Sequence, residues 1–277
     1  MIGVRRSIYK SPAQLRLMVE PGLATAASLD AVEAAILVGV TTLDLDAAAE
    51  RAIRAAGDKP NFPLERGYFH TICASINDEV VHGIPGARVL EPGDIVSIDS
   101  GAISPEGWNG DAARSFVLPG GDSATAAQRE ELNRVTEQSL WHGIAALSRA
   151  VHLNEVGAEI EDYILSQGRY GILTDYVGHG IGRRMHEDPP VFNYAVRERG
   201  PEVKPGLVVC IEPMVTLGGA DTYIRSDGWI IVTEDGSAAS HWEHTVAVHA
   251  DGIWVLTAED GGAAGLAPFG IEPVRPA

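Results

Sequence analysis

Apolar positions recur with helical spacing near the start of the chain and in short continuous runs further on. Ser11-Pro12-Ala13-Gln14 opens the first helical stretch. Ser11 has the side chain of a cap, Pro12 suits a first turn, and Gln14 reaches back as in a capping box. An Ala-rich amphipathic pattern continues to about Val38, with Pro21-Gly22 as an interruption. Thr42 is the expected cap of a second helix, Leu43 to Ala56, and Gly57 its stop. A loop rich in Pro and Gly, Asp58 to Gly67, then leads into a strand-like run from Thr71 to Ile76.

Ile95 to Ile103 and Ala112 to Leu118 read as two strands of a hairpin, joined by the turn-rich segment Ser104 to Gly110. Ser123 to Ala150 and Leu153 to Gln167 read as helices. Further strands are expected at Leu207 to Glu212, Trp229 to Val232, His244 to Val248 and Gly252 to Leu256. The chain echoes itself once. His82-Gly83-Ile84 returns as His179-Gly180-Ile181, and Pro92 to Asp99 returns as Pro205 to Glu212. Each copy runs His-Gly-Ile, Pro-Gly, then a strand that ends on a carboxylate. Two matches in one order point to a duplicated α+β unit with both strand ends at one centre. Residues 1–258 are expected to form one catalytic domain, and the Gly-, Ala- and Pro-rich segment 259–277 a poorly ordered tail.

Composition narrows the function classes. The net charge of −17 argues against a general nucleic-acid binder, which needs a basic face. It also disfavours anionic membranes. No run approaches the length of a membrane span, and Met1 to Lys10 lacks the apolar region of a signal peptide. Two cysteines, Cys73 and Cys210, make no disulfide framework. A cytoplasmic protein is expected, with no membrane or DNA partner.

Acids at the ends of apolar strands need a reason. Ile95, Val96 and Ile98 place Asp99 at the edge of a core, and Ile211 does the same for Glu212. A buried carboxylate is costly unless it is paired or holds a metal. With the turn centred near Pro105 and Glu106, Asp99 and Asp111 are expected roughly opposite each other. Like charges so placed repel, and a divalent cation reverses the sign. His179, between glycines, and Glu243, at a strand start, complete a set of Asp99, Asp111, His179, Glu212 and Glu243. Four carboxylates and one imidazole suit two hard or borderline divalent ions such as Mn, Co, Fe or Zn.

At this point the chain resembles the type I methionine aminopeptidases. The matching text runs in order: Cys73 to Asn77, His82-Gly83-Ile84-Pro85, Asp99, Gly110-Asp111, Gly178 to Gly182, Met185-His186-Glu187, Ile211 to Met214, Asp227-Gly228-Trp229 and Glu243-His244-Thr245. The resemblance implies an α+β "pita-bread" fold, with a pseudo-twofold, a curved antiparallel sheet and helices on its outer face. It implies that Asp111, His179, Glu212 and Glu243 hold one metal, and that Asp99 holds a second with Asp111 and Glu243 bridging. Glu212 is then the proton shuttle, His186 stabilises the oxyanion, and His82 contacts the scissile amide nitrogen. Cys73 and Trp229 match positions of the methionine pocket, with Tyr68 and Phe62 beside them and Met185 at its floor.

The implied activity is removal of the initiator methionine from nascent chains, with a preference for a small second residue. A monomer is expected, and the ribosome exit region is a candidate contact. Two rivals stand beside it: a proline-specific aminopeptidase or dipeptidase on the same fold, and a non-catalytic binding module. Outside the resemblance, Cys73 can be read as an inert thiol and Trp229 as core. His70, His142, His152, His241, His244 and His249 are read as structural.

Overall fold

The computed structural model describes residues 7–276. Ser11 and Gln14 form the reciprocal capping box of the helix Pro12–Leu17. The interruption falls at Met18 rather than at Pro21-Gly22. Pro21 lies in the first turn of the next helix, Val19–Ala35, where a missing N–H leaves no hydrogen bond unmade. Gly22 is there for contact: a Cβ would sit 2.4 Å from the Leu256 carbonyl oxygen. The helix Thr42–Ala55 is capped by Thr41, not Thr42. Only Thr41 has an acid three residues on, so only it can exchange hydrogen bonds with Asp44.

The hairpin pairs Ile95–Ile103 with Asn109–Val117 antiparallel, but its register corrects the expectation from sequence. The turn centres on Glu106, because Ile103 faces Asn109. Asp99 therefore faces Ala113, and Asp111 faces Gly101. The two aspartates share a face as diagonal neighbours, still close enough to interact.

The large sheet has a seam between Asn109–Val117 and Glu243–His249. Outward from the seam, the first half continues with Ile95–Ile103 and then Ile72–Ile76. The second half continues with Val208–Ile211 and then Gly178–Gly180. All of these pairs are antiparallel. A helix pair precedes each half: Val19–Ala35 with Thr42–Ala55, and Ser123–Leu147 with Glu155–Gln167. The Pro-Gly-strand echo is thus a true structural repeat. The His-Gly-Ile echo is not, because Gly180 pairs with Val209 whereas Gly83 bonds Ala74 of the strand Ile72–Ile76.

Strand alternation sorts the two faces of this sheet. Ile72, Ala74, Val96, Ile98 and Ala112 pack on Leu29, Val32 and Leu45 of the first helix pair. Val209, Ile211, Val246 and Val248 pack on Ile144, Val156 and Ile160 of the second. Each valine, leucine or isoleucine among them, fully buried, contributes roughly 1.5–3 kcal/mol. The residues between them, among them Asp99, Asp111 and Glu243, are turned to the opposite face.

The segment after residue 258 also departs from expectation. It forms the helix Ala263–Leu266 and the 3-10 turn Ala267–Phe269, with Leu266 fully buried in the second core. The Val274 N–H bonds the Ile253 carbonyl at 3.0 Å. Its glycines serve close packing rather than disorder: a Cβ on Gly265 would stand 2.2 Å from the Trp141 indole. Ala277, and the residues before Ser7 that belong to the signal-peptide reading, lie outside the described residues. Among the described residues no helix is long and apolar enough to cross a membrane.

Candidate metal centre and substrate cavity

Asp99, Asp111, His179, Glu212 and Glu243 all line one cavity of about 370 Å³. His179 Nε2 stands 3.5 Å from Glu212 Oε1 and 4.0 Å from Asp111 Oδ2. The other ring nitrogen, Nδ1, donates to the Gly180 carbonyl at 3.0 Å. That bond fixes the tautomer and turns the Nε2 lone pair toward the carboxylates, as a metal-ligating imidazole requires. Donor atoms of Asp111, His179, Cys210 and Glu243 all lie within 4.8 Å of one another.

Backbone contacts hold these side chains in place. Asp111 N–H donates to Thr245 Oγ1 at 3.1 Å, and that hydroxyl donates back to the Asp111 carbonyl at 2.7 Å. The buried Asn193 donates its Nδ2 hydrogen to the Glu212 carbonyl at 3.0 Å. Gly178 lets the His179 strand approach its neighbour: a Cβ there would lie 2.3 Å from the Cys210 carbonyl oxygen.

The electrostatics of this cluster call for a cation. Burial raises the pKa of Asp99 to about 7, with His179's neighbour Glu212 adding to the rise and His241 opposing it. Burial likewise raises Glu212 to about 7, against the pull of His179. Asp111 and Glu243 are pushed well above the ordinary carboxylate range, first by burial and then by the surrounding acids. Asp99 Oδ1, Asp111 Oδ1 and Glu243 Oε1 are buried with no hydrogen-bond partner among the described residues. Orphaned, mutually repelling, buried oxygens are an unstable arrangement without a positive charge between them. The donor set fits a divalent ion.

Against this cluster lies an apolar one. Phe62, Tyr68, Cys73 and Met185 are buried together, with Ile84 and Trp229 packed on them. The Tyr68 ring is 5.1 Å from Trp229 and 6.3 Å from Phe62. Tyr68 donates its hydroxyl hydrogen to the Ile72 carbonyl at 2.7 Å, so its polar tip is satisfied and its ring is left as wall. Asp227 accepts the N–H groups of Trp229 and Ile230 at 2.7 and 2.8 Å, a turn that presents the indole.

Two further imidazoles border the cavity. His186 sits at its rim, ring 4.4 Å from that of His179. Burial and the nearby His82 lower its pKa. His82 has φ of +61°, an uncommon conformation for a residue with a side chain. Its neighbour Gly83 donates N–H to Ser75 Oγ at 3.0 Å and has room for no Cβ, which would be 2.2 Å from the Ala74 oxygen. These contacts hold the turn. Burial lowers the His82 pKa to about 4, so the ring is neutral at pH 7.

His244 faces away from the site, with Nδ1 2.9 Å from Thr257 Oγ1 and its ring 5.1 Å from Trp141. His241 does not. It is buried on the cavity wall, with Nε2 3.6 Å from Glu212 Oε2. The sequence carried a signal for it: on extended chain the residue two before Glu243 points to the same side, and here the short strand Ala239–His241 runs through Trp242 into Glu243–His249. Tyr176, its ring 6.1 Å from that of His82, is a second lining residue that sequence reasoning passed over.

Comparison with known proteins follows the same lines. Residues 16–250 match the model of metallopeptidase family M24. Methionine aminopeptidase 1 of Mycobacterium tuberculosis is 47% identical over 261 residues, 92% of this chain and 96% of that one. The crystal structure of the Thermotoga maritima methionine aminopeptidase superposes with a TM-score of 0.85 at 36% identity, covering 91% of this chain and 99% of that one. The Pyrococcus furiosus prolidase, at 20% identity and a TM-score of 0.69 over 65% of its length, shares the fold alone. Fold, carboxylate cluster and relatives agree: the chain belongs to metallopeptidase family M24, among its type I methionine aminopeptidases.

Proposed function

We propose that this protein hydrolyses the first peptide bond of polypeptides that begin with methionine and releases the free amino acid. The observation that carries this reading is adjacency. One cavity joins a carboxylate–imidazole cluster to a ring- and sulfur-lined apolar cluster. A methionine thioether makes favourable contacts with aromatic edges, which suits the wall of Phe62, Tyr68, Cys73, Met185 and Trp229. The scissile carbonyl then lies beside the acids.

Asp111, His179, Glu212 and Glu243 would hold one divalent ion, and Asp99 a second with Asp111 and Glu243 shared. Co, Mn, Fe and Zn are all compatible with these donors. When bound, such ions supply an activated water and polarise the carbonyl. Glu212 takes the proton of the attacking water and passes it to the leaving amine. His186, neutral, donates a hydrogen bond to the developing oxyanion. His82 contacts the scissile amide nitrogen. The rings of His82 and Tyr176 narrow the exit side, which supports a preference for Gly, Ala or Ser as the second residue. Initiator methionine is met where chains are made, which supports action in the cytoplasm near the ribosome exit; we take the active unit to be the monomer.

The test is release of free Met from Met-Ala-Ser beside Met-Leu-Ser and Ala-Pro-Ser, on chelated protein with Mn or Co restored. Metal-dependent cleavage of Met-Ala-Ser alone is the expected result. Cleavage of Ala-Pro-Ser instead would move the protein to the proline-specific branch, and no cleavage with any metal would favour a binding module.

A further inference from the structure

Glu212 has an imidazole on each side. His179 Nε2 stands 3.5 Å from Oε1, and His241 Nε2 stands 3.6 Å from Oε2. Both separations exceed the N–O distance of a hydrogen bond, about 2.7–3.2 Å. Both suit two donor atoms that share a cation: ligands at about 2.0–2.2 Å from one ion are themselves roughly 3–4 Å apart.

His241 has the other properties of a ligand as well. Its side chain is 3% exposed. Nε2 is buried and has no hydrogen-bond partner among the described residues. Donor atoms of Glu212, His241 and Glu243 all lie within 4.8 Å of one another. The main chain under the ring is fixed by the hairpin. His241 N–H lies 3.2 Å from Ser97 Oγ and 3.0 Å from Ser115 Oγ, and the Ser115 hydroxyl donates to the His241 carbonyl at 2.8 Å. An imidazole so placed, with an unpaired nitrogen aimed into a nest of acids, is built to bind something positive.

We infer that His241 is a further cation ligand, so that the centre presents two imidazoles and four carboxylates, with one imidazole against each oxygen of Glu212. This rests on the metallopeptidase reading above. A second nitrogen donor tilts the site toward Zn, Co or Fe and away from harder ions that prefer oxygen alone.

Proton NMR of the full chain loaded with Co(II) tests it. Each imidazole bound to paramagnetic Co gives one strongly shifted N–H signal that disappears in D2O. Two such signals are expected from the wild-type protein, a count that needs no variant. His241→Gln should lose one of them, and its weaker Co site should lose affinity by at least about tenfold by titration calorimetry. One signal in the wild-type protein, with Co affinity unchanged in His241→Gln, would overturn the inference and leave the metallopeptidase reading intact. Failure of the wild-type protein to take up Co would overturn both.

Discussion

The two halves of the sheet are built alike and used differently. Asp111 and Glu243 lie on the two strands paired at the seam, and Asp99 and Glu212 on or just beyond the next strand out on each side. The third strand out from the seam on each side breaks the symmetry. In the second half that strand, Gly178–Gly180, carries His179, whose ring closes the ligand cluster. In the first half it is Ile72–Ile76, where Cys73 lies opposite Asp99. That strand carries no imidazole, and its Cys73 thiol is part of the Phe62–Tyr68–Met185 cluster. On the proposed reading, the second copy completes the ligand set and the first opens the pocket for the substrate.

The largest effects belong to the pair at the seam. Asp111→Ala and Glu243→Ala should each abolish peptidase activity and the uptake of both ions, since the proposed centre has each of them shared. Retention of two-ion binding by either variant would remove that acid from its shared role. A second readout separates metal loss from misfolding. Removing one of several repelling buried acids should leave the metal-free protein at least as stable as wild type. Added Mn or Co should raise the unfolding temperature of the wild-type protein only, because only there does an ion bind the folded state.

His186→Ala comes next. The ring lines the cavity beside His179 and is not one of the proposed ligands. Metal content should therefore be kept, while kcat falls on the order of a hundredfold, the usual consequence of losing one oxyanion donor. An unchanged kcat would remove His186 from the chemistry. Trp229→Ala is smaller and of a different kind. It takes away the indole that packs on Tyr68. KM for Met-Ala-Ser should rise about tenfold, with kcat changed less. A fall in kcat alone would place Trp229 on the chemical side of the comparison.

Much of this was legible in the chain, and the gaps have physical causes. The acids could be placed at one centre because strand alternation and the Pro-Gly-strand repeat fix which face they share. Register could not, since moving the turn centre by one residue moves every cross-strand partner by two; Asp99 and Asp111 read as opposite in sequence and are diagonal in the sheet. The cap assigned to Thr42 belongs to Thr41, because the reciprocal bond depends on Asp44 and not on the first threonine that precedes an apolar run. His241 reads as structural from sequence because the matching text begins only at Glu243. Its position is a product of strand geometry and of the two serines that bind its backbone.

The tail was misread for a related reason, and it yields the smallest effect on activity. Glycine is ambiguous in sequence: it marks flexible chain and also marks contact too close for a Cβ. Gly262 and Gly265 are of the second kind, pressed on Val255 and Trp141. They bring Leu266 into the core of the second half alongside Ile144 and Val255. Leu266→Ala should then cost about 2–5 kcal/mol, the range for a buried leucine, in urea unfolding of the metal-free protein. Turnover of Met-Ala-Ser per folded molecule should not change, because the segment lies behind the helix Ser123–Leu147 and supplies no group to the cavity. A loss below about 0.5 kcal/mol, the scale of an ordinary surface substitution, would return the segment to the status of a loose tail. A loss of turnover with stability kept would mean that the second half transmits its packing to His179 and Glu212, and that its chemistry depends on how firmly its helices are covered.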